Sequence, residues 1–196
     1  MGGSEALDPC DLWLPCNISI AFTYGVVGCV MSLILTPLNV YQVHTLDAEP
    51  VVQTTLVILQ QLPWSLKLLF GFLSDLVPVG GMHRKPYLLS GAALYSSIFV
   101  AYGLSEQDSL PLLALTVFVG TLGIIQMDVM ADTMVVERSK FEAEERKGQL
   151  QATCYSIRFG ASFAGALVGS SVCNQKQWNG WGLNFHQVCL LCGSLP

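Results

Sequence analysis

The sequence predicts an all-α integral membrane protein, and three observations carry that prediction. Hydrophobic residues make up 52% of the 196 and charged residues only 12%, about half the charged share of an ordinary soluble domain. The apolar residues gather into successive runs of about 20, the length needed to cross a hydrocarbon core. The charges fall mostly in the short segments between those runs.

The first 17 residues carry three acids (Glu5, Asp8, Asp11) and no Lys or Arg, so they resemble neither a secretory signal nor a transit peptide. Ala6 stands where myristoylation of Gly2 requires Ser or Thr. An acidic, disordered tail over 1–17 is expected. The spans follow in order. The first, 18–40, is uncharged; the second, 51–74, is interrupted only by Lys67; the third, 86–104, is uncharged. The fourth, 110–136, contains Asp128 and Asp132, and the fifth, 150–172, contains Arg158. A sixth apolar run, 185–196, is too short to span and is expected to be incomplete. Five runs joined by short polar links exclude a soluble globular domain. Pro37, Pro63 and Pro111 do not oppose this reading, because spanning helices tolerate proline.

Basic residues set the orientation. The link between spans two and three holds Arg84 and Lys85, and that between spans four and five holds Arg138, Lys140, Arg146 and Lys147. Opposing links hold only Lys176. These two links and the amino terminus are therefore expected in the cytoplasm, with the lipid bilayer as the principal partner.

Other function classes find little support. The net charge is −5, and Lys and Arg form no extended basic face, so no nucleic-acid partner is expected. The seven cysteines lie mostly in or beside apolar runs and read as small apolar fillers. Cys189 and Cys192 form a lone CxxC without a second pair at zinc-ligand spacing. No metal or cofactor is expected. No nucleophile, base and orienting acid recur at a recognisable spacing, so an enzyme is not expected either. Gly165 and Gly169 form a GxxxG, a device for close helix approach.

Four ionisable residues remain inside the spans: Lys67, Asp128, Asp132 and Arg158. A charge at bilayer depth costs at least about 2.5–3.5 kcal/mol, so each requires a partner or water. Lys67 lies eight residues before Asp75, Asp128 nine before Glu137, and Arg158 ten after Gly148, which sets all three about 12–15 Å from the same membrane face. Asp132 shares a helix face with Asp128 at i, i+4 spacing. With Asp132 one turn nearer the cytoplasm, the two cations and two carboxylates sum to zero, as a paired buried cluster should, and they point to a functional cavity.

The link between spans two and three contains Gly71, Asp75, Pro78, Gly80, Gly81, Arg84 and Lys85, which resembles the cytoplasmic gate signature of the major facilitator superfamily. The longer string LPWSLKLLFGFLSDLVPVGGMHRKPY (62–87) resembles the folate/biopterin transporter family. So do DVMADTMVVER (128–138) and GQLQATCYSIRFG (148–160), in the family's order and spacing.

That resemblance implies the amino-terminal six-helix half of a major facilitator fold, in a proton-coupled symporter of folates or pterins working by alternating access. Lys67 or Arg158 would attract the substrate carboxylates, Trp64 or Tyr155 would stack on the flat pterin, and an Asp would carry the proton. Gly71 would allow close helix contact, and Arg84 and Lys85 would hold the gate. The chain is then expected to need a carboxy-terminal half and to be inactive alone. Two alternatives stand beside it: a carrier of the same superfamily for another organic anion, and a non-transporting membrane subunit.

Overall fold

The computed structural model describes residues 12, 14, 17–105, 107–173 and 182–196. Apart from Leu12, Leu14 and Asn17, the tail expected at 1–17 lies outside the described residues, as do Cys10, Cys16 and Lys176. Leu12 itself is buried against Ile20, Val135 and Leu150.

Seven α-helices account for most of the described residues: α1 Ile18–His44, α2 Pro50–Gln61, α3 Lys67–Leu76, α4 Lys85–Ser105, α5 Leu110–Ser139, α6 Gln149–Val172 and α7 Phe185–Ser194. Four segments are long and apolar enough to cross a membrane: Ile18–His44, Pro50–Leu76, Lys85–Ser105 and Leu110–Ser139. Helix α6 has 24 residues but is not among the four. Two glutamines, Arg158 and many Ser and Gly residues dilute its apolar content. Two of its polar groups turn inward, Arg158 bonding to Asp128 and the Ser162 hydroxyl donating to the Gly28 carbonyl oxygen at 3.1 Å. Helix α7, with ten residues, reaches about 15 Å, half a hydrocarbon core.

The second apolar run is not one continuous helix. A 3-10 turn, Leu62–Leu66, separates α2 from α3. Pro63 explains the break, since it has no N–H to give and its ring clashes with the carbonyl four residues back. Pro111 stands in the first turn of α5, where a missing N–H is harmless. Pro37 alone sits within a helix, α1.

Helices α1 and α6 pack backbone to backbone. A methyl group on Gly165 would overlap the Cys29 carbonyl oxygen, one on Gly169 the Leu33 carbonyl oxygen, and one on Gly28 the Arg158 carbonyl oxygen. The GxxxG is therefore spent on a contact inside this bundle. Helix α4 lies against α5 and α7, and a Cβ on Gly123 would stand 2.7 Å from the Gly91 carbonyl oxygen. Large apolar side chains point outward, among them Leu68, Phe72 and Leu76 on α3 and Phe159, Phe163 and Leu167 on α6. So broad an apolar exterior suits hydrocarbon and would be a liability in water.

Candidate functional site

The break in the second span places Lys67 at the first position of α3, on the side that meets α5. A cation at a helix amino terminus opposes the macrodipole, and two carboxylates offset that. Lys67 Nζ donates to Asp128 Oδ2 at 2.8 Å and to Asp132 Oδ2 at 2.7 Å. The close approach of α6 to α1 carries Arg158 to the other side of α5, where Nη1 donates to Asp128 Oδ1 at 2.6 Å. The remaining oxygen, Asp132 Oδ1, accepts from the Tyr24 hydroxyl at 2.5 Å. All four carboxylate oxygens thus have a donor, which is what burial of charge demands.

Lys67, Asp128 and Arg158, expected at one level, and Asp132, one turn away, are brought together, but they are not equivalent. The Asp128 side chain is 2% exposed and Arg158 16%, whereas Asp132 is 27% and Lys67 36% exposed. Tyr24 is not marked in the sequence: it is an aromatic on an uncharged span, and no spacing rule links it to Asp132, 108 positions away. Matching depth was the one usable signal.

Trp64 and Tyr155 flank this network without bonding to its carboxylates. Lys67 Nζ sits 5.8 Å from the Trp64 ring centroid, within cation–π range. Tyr155 meets Tyr24 edge-on at 6.0 Å and stacks with Phe159 at 6.2 Å. Trp64 also lines a cavity between α1, the broken second span, α4, α5 and α7, with about 590 Å³ of empty volume including its open side. Gln60, Gln61, Tyr95, Phe99 and Phe185 contribute to its wall, and so does Ile124, one turn of α5 from Asp128.

The motif between Gly71 and Lys85 forms a second ionic group nearer the end of α5. Arg84 Nη1 pairs with Asp75 Oδ1 at 2.7 Å and donates to the Ser74 hydroxyl oxygen at 2.7 Å, while Nη2 pairs with Glu137 Oε1 at 2.8 Å. Pro78 precedes a tight turn in which the Val79 and Met82 backbones exchange hydrogen bonds of 3.0 and 3.1 Å. Gly80 and Gly81 occupy its centre at φ +60° and +77°, which side chains disfavour. Lys85 opens α4. Gly71 departs from expectation: a Cβ there would meet Val129 at an ordinary 3.8 Å, so close α3–α5 contact does not require glycine.

A third polar group, unforeseen, lies at the opposite end of the bundle. The Tyr41 hydroxyl donates to Asp108 Oδ1 at 2.5 Å and lies 3.0 Å from the Tyr102 hydroxyl. His186 Nε2 is 3.2 Å from the same Asp108 oxygen. The Tyr41 hydroxyl, then His186, hold the Asp108 carboxyl below its usual range. Phe185 stacks on Tyr41 with centroids 4.1 Å apart. Asn184 caps α7 reciprocally with Gln187, which sets His186 in the first turn.

The cysteines pack as apolar residues: Cys154, Cys189 and Cys192 are buried free thiols, and the CxxC pair sits within α7. Among the described residues, no group of His, Cys, Asp and Glu is arranged to hold a metal.

Apolar helices with an outward apolar face and a charge network closed on itself inside define a multi-pass α-helical membrane protein. Residues 27–177 match the BT1 family. The chain belongs to that family. It is 30% identical over 160 residues to the probable folate-biopterin transporter 4 of Arabidopsis thaliana, covering 81% of this chain and 31% of that protein. With the folate-biopterin transporter of Synechocystis sp. it shares 31% identity over 154 residues, 77% of this chain and 29% of the relative. Folate transporter 1 of Plasmodium falciparum is 30% identical over 122 residues, 62% of this chain and 23% of that protein. The chain thus spans under a third of the length of these relatives, which are named as transporters and not as enzymes. No solved structure matches it.

Proposed function

We propose that this bundle acts as the amino-terminal half of a major facilitator carrier for folates or pterins, coupled to protons and working by alternating access. The observation that carries the reading is Lys67, which bridges Asp128 and Asp132 while facing the ring of Trp64 at 5.8 Å. A folate joins a flat heterocycle to carboxylates. The Trp64 side of the cavity offers an aromatic surface for the first, and Lys67, the more exposed of the network's two cations, offers an ion-pair partner for the second. Arg158 is held by Asp128 and serves the site by fixing that carboxylate. Tyr155 acts on the site through Tyr24 rather than on the substrate.

The Asp75–Arg84–Glu137 group is assigned as the gate on the cytoplasmic face, a reading supported by the basic residues of the neighbouring links under the positive-inside rule. Transport of this kind rocks two repeats about a site between them. Net flux therefore belongs to the bundle paired with a second repeat, and binding is the property to read on this chain.

The test is fluorescence of Trp64 in nanodiscs, with Trp13, Trp178 and Trp181 replaced by Phe. Folate and biopterin should each quench Trp64 saturably, and folate quenching should weaken at least tenfold in Lys67→Gln. An equal response to succinate, or none to folate, would contradict the assignment.

A further inference from the structure

The five-member network divides into an arm that is closed and an arm that is open. Each oxygen of Asp128 holds a cation, Lys67 at 2.8 Å and Arg158 at 2.6 Å, and the side chain is 2% exposed. Releasing it would strand a buried charge. Asp132 holds one cation, Lys67 at 2.7 Å, and one neutral group, the Tyr24 hydroxyl at 2.5 Å. At 27% exposure it is not sealed inside the bundle, and Lys67 beside it is 36% exposed. The other ionisable groups around Asp132 are Cys154, Tyr155 and Arg158 on α6 and Asp128 on its own helix.

We propose that Asp132 is the carboxylate that exchanges: an anionic substrate takes its place on Lys67, and Asp132 takes up one proton as it lets go, while the Asp128–Arg158 pair stays closed. The proposal rests on the reading that this site binds an organic anion.

Charge balance gives the reason. The network of two cations and two carboxylates is neutral. A third carboxylate would leave it one charge negative in a low-dielectric interior, where an uncompensated charge is costly. A proton delivered from water to Asp132 Oδ2 restores neutrality. The Asp132–Lys67 ion pair breaks, a substrate–Lys67 pair forms, and one O–H bond is made. The Tyr24 hydroxyl keeps donating to Oδ1 throughout and holds the protonated side chain in place. Tyr24 is thus a positioning residue.

One proton taken up per anion bound makes the dissociation constant fall about tenfold for each unit of falling pH. The single-Trp64 protein in nanodiscs, titrated with folate between about pH 5.5 and 7.5, where folate's own carboxylates stay ionised, reads this slope directly. Asp132→Asn keeps the volume and the Tyr24 hydrogen bond and leaves the site one charge positive without a proton. Its folate affinity should be independent of pH and at least as tight as that of the unaltered protein at the lower end. Calorimetry in buffers of different protonation enthalpy should count about one proton absorbed per folate by the unaltered protein and none by Asp132→Asn. Saturable folate binding with no pH slope, or a slope kept in Asp132→Asn and lost in Asp128→Asn, would overturn the exchange while leaving the folate assignment standing. Absence of saturable folate binding at every pH would defeat that assignment and the exchange with it.

Discussion

Two polar groups hold this bundle at opposite ends of α1 and α5, and they are built on different physics. Near the carboxy-terminal end of α5, four formal charges and one hydroxyl close on one another, with Asp128 almost wholly buried. At the far end a single carboxylate, Asp108, is 53% exposed, and the surrounding contacts are largely aromatic: Tyr41 on Phe185 at 4.1 Å and Tyr102 on His186 at 5.2 Å. The charged group is a closed account in which each member answers for another, so deleting one strands its partner. The aromatic group spreads its attachment over rings and hydrogen bonds, so any single loss is partly covered. One arrangement suits a place where charge must later move. The other suits docking α7 and the α4–α5 link onto α1.

The comparison is sharpened most by asking which end faces which compartment, because that outcome is all or none. In a background without native cysteines, single cysteines at Met82 and Ala143 should resist an impermeant thiol reagent on intact cells, while one at Gln107 should react. Reaction at Met82 or Ala143 without permeabilisation would invert the assignment and put the Asp75–Arg84–Glu137 group on the outer face.

The largest energetic effect is expected in the charged group. Arg158→Ala leaves Asp128 with Lys67 alone and should lower stability by about 3–5 kcal/mol, the range for breaking a buried pair. Asp128→Asn should cost less, since the amide keeps volume and hydrogen bonding. Unfolding of detergent-solubilised protein measures both; equal and small losses would mean that the buried group carries little electrostatic energy.

At the far end, Asp108→Asn should cost less than about 1 kcal/mol, as exposed pairs do. Its pH dependence has a definite sign. Asp108 is held below its ordinary range, so its contribution is complete above the unfolded value near 4 and disappears as pH falls through the folded value. The stability difference between the unaltered protein and Asp108→Asn should therefore be constant at neutral pH and shrink only below about pH 4. A difference that grew on acidification would show that the carboxylate is destabilised rather than held by its partners.

The two groups also differ in how far the sequence revealed them. Lys67, Asp128, Asp132 and Arg158 stood out because charge is rare in apolar runs, and counting residues from the span ends aligned their depths. Tyr24 carried no such mark, since tyrosine is ordinary in a spanning helix. Asp108 and His186, 78 residues apart, lie in a link and a short apolar run, and no periodicity joins them. The second span, Pro50–Leu76, is long and apolar enough to cross a membrane, but no spacing rule reveals the 3-10 turn Leu62–Leu66 that sets Lys67 at the start of α3. The two consecutive glycines after Pro78 were legible for their position, but only the geometry gives their reason, positive φ at both.

The account depends most on Asp128 and Arg158 being one electrostatic unit rather than two residues that happen to lie at one depth. A double-mutant cycle on unfolding free energy, with Asp128→Asn, Arg158→Gln and the pair, measures this directly. The account predicts a coupling of at least about 1 kcal/mol, with the double variant closer to the unaltered protein than the two single losses added together. Additive losses, within about 0.5 kcal/mol, would contradict it.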